Sequence, residues 1–477
     1  MREWFLEHIV PSVDILVLIY SFALVVSYIL MALLAIYALW RYKRKNYSTD
    51  YNTILYSESL EPSISVIASS YNESLMIVEC VRSLLALRYN NYEVIVVNDG
   101  STDDSFQKAC KEFSMIKVDY YINEHIPTKP VRGIYRSADK AYPNLVFIDK
   151  ENGGKADAMN AGINVSTKLY TLCVDVDSVL DVNSLLKLAK PIAESTDKEV
   201  VSVGGAVYVA NGCLFKNGVL LEKGVSKSNQ VKMQVVEYMR AFLIGRMGWG
   251  QINGLMLVSG ALGVFRKDYL LAINGYRASS IGEDMEMLMR MRQYLYDNKI
   301  PHKVEYIPEP LLWTEVPPTL EILGRQRTRW SRGLIDSLLI HKKLMFNPRY
   351  GVLGIVSYPY FFFFEWLAPF IEALGLIYVA ILVSFGLIHW KIYLVLSVFM
   401  YLFGLIFSFL GIFFGEMTYH VYEKKTDLLK LFLASFTEAF VYHPLIVFWA
   451  LKGNYMYLTK QNKWGEMPRQ GLGAKKK

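Results

Sequence analysis

The chain has 477 residues, 53% hydrophobic and 20% charged, which excludes a disordered or purely solvating segment. Its net charge of +7 comes largely from the flanks of apolar segments and from Lys475, Lys476 and Lys477, not from an arginine-rich face with interleaved aromatics, which argues against nucleic acid as a partner. Four cysteines, Cys80, Cys110, Cys173 and Cys213, lie far apart with no Cys-x-x-Cys pair, which argues against a zinc site and a disulfide framework and for reduced thiols in a cytosolic setting.

In chain order, the first predicted element is a membrane helix. Val13 to Trp40 contains one charge, Asp14, and exceeds the about 20 apolar residues that a span needs. It ends in Trp40, Arg41, Lys43, Arg44 and Lys45, a basic cluster that predicts a cytoplasmic end. Its length and the lack of a basic leader and a small-residue cleavage pattern favour an uncleaved anchor, residues 1–45, with its amino terminus outside.

From about Pro62 to Arg349, short β-branched runs alternate with helical stretches, predicting an α/β unit with a largely parallel sheet in a cytosolic domain of residues 46–350. Strands are predicted at Ser63 to Ala68, Tyr92 to Val97, Leu145 to Ile148, Tyr170 to Val174 and Val201 to Val209. Leu75 to Leu87 places Ile77, Val81, Leu84 and Leu85 on one helical face; further helices are predicted near Ser105 to Phe113, Ala156 to Val165 and Ser184 to Ala189. Ser70-Tyr71-Asn72-Glu73, Asn98-Asp99-Gly100-Ser101, Asn152-Gly153-Gly154-Lys155 and Asp175-Val176-Asp177-Ser178 each follow or end a predicted strand. Open α/β sheets bind ligands just past the carboxyl ends of their strands, so these clusters predict one site.

Each cluster alone is weak, because Asp-Gly after a strand is most often a turn and one Asp-x-Asp is expected by chance in about every chain of this length. Their shared position strengthens them. Asp177, with Asp175 nearby, is a candidate for holding Mg²⁺ or Mn²⁺ that bridges diphosphate oxygens. Gly282-Glu283-Asp284 opens a helical run, where a carboxylate acts either as a cap or as a base accepting the proton of an attacking hydroxyl. Gln326-Arg327-Thr328-Arg329-Trp330 offers a planar guanidinium fork for phosphate in Arg329 and a flat apolar face for a sugar ring in Trp330. No Walker loop, Gly-x-Gly-x-x-Gly, Gly-x-Ser-x-Gly elbow or His-Glu-x-x-His occurs, and His443 beside Pro444 reads as structural.

Past the domain, Gly351 to His389, Ile392 to Gly415 and Leu428 to Leu451 are apolar blocks within a membrane region of residues 351–455, followed by a basic tail, residues 456–477. The crossing count is open: if Glu423-Lys424-Lys425 and the tail both face the cytoplasm, the last block lies in the interface or re-enters. Glu365 and Glu372 are seven residues apart and share a face if one helix carries both. They then line a polar path through the bilayer, or Glu365 lies at the interface beside Trp366.

The ordered set Tyr71-Asn72-Glu73, Asn98-Asp99-Gly100-Ser101, Asn152-Gly153-Gly154-Lys155, Asp175-x-Asp177, Ser259-Gly260-Ala261, Gly282-Glu283-Asp284, Thr314-Glu315 and Gln326-x-x-Arg329-Trp330 resembles the membrane-embedded family 2 processive glycosyltransferases, which include cellulose, hyaluronan and poly-N-acetylglucosamine synthases. The resemblance implies a cytosolic GT-A (Rossmann-like) domain flanked by transmembrane helices, a UDP-sugar donor, Mg²⁺ or Mn²⁺, and inversion at the anomeric carbon. It implies that Tyr71, Glu73 and Asp99 hold uridine, that Lys155 assists on the nucleotide side, and that Asp175 and Asp177 serve donor and metal. Asp284 is then the general base, Gln326, Arg329 and Trp330 contact the diphosphate and acceptor sugar, and a polysaccharide leaves through the helices of an integral protein of the cell membrane.

Two features depart from that pattern. Tyr120 to Ala141 is a longer connection than the pattern has, a lid or a partner surface, and the single amino-terminal span implies a narrow channel or one completed by an accessory subunit or a second copy. A non-processive transferase acting on a lipid acceptor, and a silent membrane scaffold, are the alternatives.

Overall fold

In a computed structural model of the protein, residues 10–46, 51–56, 61–216, 218–422 and 424–461 are described. Glu423 and the part of the predicted basic tail beyond residue 461 lie outside the described residues. The apolar runs form strands β1 (Ile64–Ser70), β2 (Tyr92–Asp99), β3 (Met115–Val118), β4 (Val131–Ser137), β5 (Leu145–Lys150), β6 (Tyr170–Asp175), β7 (Ser178–Leu180) and β8 (Glu199–Val209). Then come β9 (Leu214–Lys216), β10 (Val219–Glu222), β11 (Leu262–Arg266) and β12 (His302–Thr314). Ten of them make one sheet in the order β3-β4-β5-β2-β1-β6-β11-β8-β12-β7, and β9 and β10 pair separately.

The centre, β5-β2-β1-β6, is parallel, its runs are buried on both faces, and helices Ile77–Leu85 and Lys155–Val165 provide crossovers. β11 then runs antiparallel between β6 and β8, while β12 is parallel to β8, so the sheet is mixed, not largely parallel. The central strands also extend past their apolar runs. Ser70 pairs with Asn98, and Asn98 with Asp149, because the backbone ladder continues where side chains turn polar.

The long connection resolves into structure. β4 joins β5 antiparallel and β3 caps that edge. Ahead of β4, the chain is pinned to the Lys155–Val165 helix: Asn164 exchanges bonds with the Ile126 backbone at 3.0 and 2.7 Å, and Ile126 is buried. Within the segment, Val131–Ser137 thus forms part of the sheet, and the chain ahead of it is held at Ile126.

Among the described residues, four helices are long and apolar enough to cross a membrane: Val10–Asn46, Leu353–Ser384, Trp390–Tyr419 and Lys425–Leu458. The first is fixed to β12 by Tyr42, whose hydroxyl donates to Glu309 at 2.7 Å. The last packs on helix Leu320–Ile340, where the Ser331 hydroxyl donates to the Ala450 carbonyl at 2.9 Å and Asn454 Nδ2 donates to Ser331 at 3.1 Å. A π-helical turn at Phe361–Trp366 interrupts the α-helical register ahead of Ala368–Ser384, so the seven-residue spacing of Glu365 and Glu372 no longer measures two α-turns. Glu372 pairs instead with His443 Nε2 at 2.7 Å.

Candidate active site

The site is assembled at the carboxyl ends of β1, β2, β5 and β6. Asn72 follows β1 with φ +55°, a left-handed conformation that Asn tolerates, and its Oδ1 accepts from Thr102 N at 2.8 Å. Its own N–H donates to Ser101 Oγ at 3.0 Å, so the loops after β1 and β2 are stitched into one rim. Tyr71 stands on that rim, 49% exposed, and Glu73 opens the next turn, half-buried.

Asp99, at the end of β2, is tied to the loop that follows β5. It is buried, and its carboxylate accepts the N–H groups of Gly153 and Gly154 at 3.0 and 2.7 Å and the Lys150 ammonium at 2.9 Å. In this arrangement Asp99 shapes the 152–154 loop, and a direct nucleotide contact would compete with those bonds. Lys150 also pairs with Asp157 at 2.5 Å and is fully buried. Sequence reasoning missed it, since a lone lysine closing an apolar strand carries no motif. Removing one partner of a buried charge cluster costs about 3–5 kcal/mol, so Lys150→Met is expected to lower the melting temperature by about 10 °C, measured on the full chain in detergent.

The same loop delivers Lys155, whose ammonium lies 2.8 Å from Asp175 and donates to the Gly260 carbonyl at 3.0 Å. Burial opposes its charge, but Asp175, Asp284 and Glu283 outweigh burial and hold its pKa above the ordinary lysine value. Asp177 is buried and accepts from Ser178 Oγ at 3.0 Å and Thr314 Oγ1 at 3.5 Å, which fixes it between β6 and the end of β12. Burial, then Asp177, Glu73 and Asp175, push the Cys80 thiol well up, so these three carboxylates act on one neighbourhood. Among the described residues no three His, Cys, Asp or Glu side chains form a cage for an ion. Two carboxylates with the remaining positions left to water and phosphate are nonetheless a donor set that suits Mg²⁺ or Mn²⁺.

Asp284 approaches from the other side of the cleft, in the first turn of helix Glu283–Asp297. A Cβ built on Gly260 would lie 1.8 Å from Asp284 Oδ2, so the carboxylate rests directly on the glycine whose carbonyl Lys155 holds. The helix reaches this place because Gly282 meets Gly333 backbone to backbone, with a Cβ on Gly282 falling 2.6 Å from the Gly333 carbonyl oxygen. Gly333 lies one turn beyond Arg329 on helix Leu320–Ile340, and Arg329 acts on both Glu283 and Asp284. Burial raises both acids. Glu283, pushed further by the Asp284 charge, is raised to about 7, and Lys155 and Arg329 offset part of the rise for each.

On that helix Gln326 Oε1 is buried with no hydrogen-bond partner among the described residues, an acceptor left open beside the cleft helix. Trp330 is 41% exposed, with the Arg327 guanidinium 4.3 Å from its ring centroid. Arg327 is itself anchored by Glu237 through two contacts of 2.7 Å, and the Tyr442 hydroxyl donates to Glu237 at 2.7 Å. The aromatic shelf is thus braced by the membrane region, a link no local motif signals. The structure therefore brings Lys155, Asp175, Glu283, Asp284 and Arg329 into one neighbourhood, leaves Tyr71 exposed on the rim after β1 and buries Asp99 against the 152–154 loop.

Comparison with known proteins bears on the family and the fold. The family described as glycosyltransferase like family 2 matches residues 62–333, more than half of the chain. Poly-β-1,6-N-acetyl-D-glucosamine synthase of Staphylococcus aureus (strain COL) is 27% identical over 297 residues, which is 60% of this chain and 60% of that protein. The synthase of the same name from Staphylococcus epidermidis is 27% identical over 279 residues, 58% and 55% of the two chains. The chain thus matches less than two thirds of the length of these relatives. Among solved structures, a mannosyltransferase from Pyrobaculum calidifontis in complex with GDP-Man and Mn²⁺ superposes with a TM-score of 0.50 at 14% identity, covering 87% of this chain and 99% of that one. That likeness establishes a shared fold.

Proposed function

The chain belongs to glycosyltransferase family 2, and from that membership we propose that it transfers a sugar from a UDP-sugar, with inversion, to a growing β-linked polysaccharide at a cell membrane. The observation that carries this reading is the Gly260 junction: Lys155 holds its carbonyl and Asp175 together, and Asp284 lies against its Cα. A base and a diphosphate-binding edge therefore face one cleft. The synthase names of the staphylococcal relatives support a polymeric product, and four apolar helices support a bilayer setting. The basic end of Val10–Asn46, on the side of the catalytic domain, supports a cytoplasmic cleft.

In the proposed reaction Asp284 takes the proton of an acceptor hydroxyl, whose oxygen forms a bond to the anomeric carbon from the face opposite the nucleotide. The bond from that carbon to the diphosphate oxygen breaks, and its electron pair leaves with the nucleoside diphosphate. Lys155 and Arg329 stabilise the charge that develops there, and Trp330 shelves the acceptor ring. Asp175 and Asp177 would hold Mg²⁺ or Mn²⁺, which supplies Lewis-acid stabilisation of the diphosphate; the Mn²⁺ in complex with the Pyrobaculum enzyme supports the use of a metal. Tyr71 and Glu73 border the nucleotide end, with Asp99 shaping its floor. Gln326, one turn before Trp330 on the same helix, contacts the acceptor end in this reading.

The test is turnover by purified full chain in lipid with Mg²⁺ or Mn²⁺ and each UDP-sugar separately, with the product sized. A long glycan from one donor is expected. A single-sugar lipid product would overturn the polymer assignment, and turnover unaffected by a chelator would overturn the metal assignment.

A pH profile tests the base. Both acids of the cleft are raised by burial, and only the ionised carboxylate accepts a proton, so kcat/KM is expected to fall as pH drops through the raised pKa values, above the range of a free carboxylate. Glu283→Gln removes the ionisation near 7 and is expected to leave a single step, that of Asp284, still raised by burial. An unchanged profile in that variant would assign the upper step elsewhere.

A further inference from the structure

A second cavity, of about 320 Å³, lies between the basic end of helix Val10–Asn46, helix Ser184–Ala193 and the first half of β12. It is of ligand-pocket size. Its β12 lining includes Glu305, nine residues before Thr314, the residue that touches Asp177, so about 30 Å of strand separates it from the catalytic rim. This cavity is not the donor site seen from behind.

Its lining carries six basic side chains and three acidic ones. Lys45 is neutralised by Glu194 at 2.8 Å, and Lys303 by Glu305 at 3.2 Å and Asp197 at 3.5 Å. Lys187 pairs with Glu309 at 2.5 Å. Arg41 and Lys198 form no ion pair among the described residues, and they come from the membrane helix and the catalytic domain respectively. Tyr306, which also lines the cavity, has a buried hydroxyl without a partner among the described residues. One wall is rigid: Asn253, at φ +52°, accepts from Val304 N at 3.0 Å and donates to the His302 carbonyl at 3.2 Å.

We propose that this cavity binds the phosphate of an anionic lipid headgroup, clamped between Arg41 on the membrane helix and Lys198 on the catalytic domain. The excess of positive charge selects a net anionic headgroup over a zwitterionic one, and an arginine fork matches the phosphate oxygens. The position favours lipid as the source. Arg41 immediately follows the apolar run of a membrane-length helix, at the level where headgroups of the cytoplasmic leaflet lie, and basic pockets there attract anionic lipid.

The proposal is tested by binding, independent of catalysis. Full-length protein in neutral detergent is titrated with phosphatidylglycerol and, separately, phosphatidylcholine, and bound lipid is counted by native mass spectrometry. One phosphatidylglycerol per chain is expected to bind selectively, with affinity reduced at least tenfold in Arg41→Gln/Lys198→Gln and unchanged in the control Lys111→Gln/Lys140→Gln. Equal melting temperatures of the two double variants establish that folding is intact. Equal lipid affinity in wild type and Arg41→Gln/Lys198→Gln would overturn the proposal. Displacement of the lipid by inorganic phosphate at matched concentration would assign the site to a soluble phosphate and overturn the lipid source.

Discussion

Asp284→Asn is expected to lower kcat by about 10²–10⁴ while leaving the nucleotide dissociation constant within about twofold. The separation follows from where the groups sit. Lys155, Asp175 and Asp177 come from the carboxyl ends of β5 and β6 and the loop between them, whereas Asp284 enters from helix Glu283–Asp297, across Gly260. The amide keeps the size of the carboxylate and loses its basicity. It also removes one of the charges that sustain the Lys155 ammonium, but Asp175 remains at 2.8 Å, so the lysine keeps its charge and its place. Initial rates with saturating donor, paired with nucleotide displacement titrations, measure the two quantities. A kcat within tenfold of wild type would remove Asp284 from the base role and leave it as the first-turn carboxylate of its helix, stabilising the helix end electrostatically.

That ambiguity, cap or base, shows how far the amino-acid sequence reaches. Strands β1, β2, β5 and β6 were legible because each is an apolar β-branched run closed by a polar cluster, and the clusters fall on one rim for the reason that parallel strands share a direction. Strand direction itself was not legible. β11, Leu262–Arg266, has the composition of its neighbours yet runs opposite to β6 and β8, since polarity depends on the route by which the chain arrives. β12 was missed because Glu305, Pro308, Glu309 and Pro310 interrupt its apolar character. It pairs regardless, with shifts of register on both sides of Pro310 absorbing the missing donor.

The site divides the same way. Lys155, Asp175 and Asp177 are candidates from their position past strand ends, and Asp284 and Arg329, both on helices, from residue type and order. Lys150, which pairs with Asp99 and Asp157 from a fully buried position, has no signature, because Asp99 lies 51 residues earlier and meets it only through the register of β2 with β5, while Asp157 is turned back onto it by the loop that opens helix Lys155–Val165. The brace from Arg327 through Glu237 to Tyr442 is hidden for the same reason: it joins three helices separated by 90 and 115 residues from Arg327. Contacts of this kind are set by packing, and packing is a property of the folded chain.

Gly260→Ala is expected to cost about 10²-fold in kcat without loss of the fold. The added methyl carbon would sit 1.8 Å from Asp284 Oδ2 and 2.7 Å from its Cγ, well inside any van der Waals contact. Relief requires a displacement of more than an ångström by the carboxylate or by the Gly260 backbone, and a misplacement of about 1 Å suffices for such a loss. A backbone shift would also disturb the carbonyl that receives Lys155 at 3.0 Å. Gly245→Ala is the control: the nearest atom to its added carbon is the Arg240 carbonyl oxygen at 3.9 Å, an ordinary contact, so near wild-type turnover is expected. The decisive measurement is the double variant. If Gly260→Ala acts by displacing the base, it costs little more once Asp284 is Asn, because the displaced group no longer accepts a proton; a full additional 10²-fold loss in the Asp284→Asn background would show that Gly260 serves the donor side through Lys155 instead.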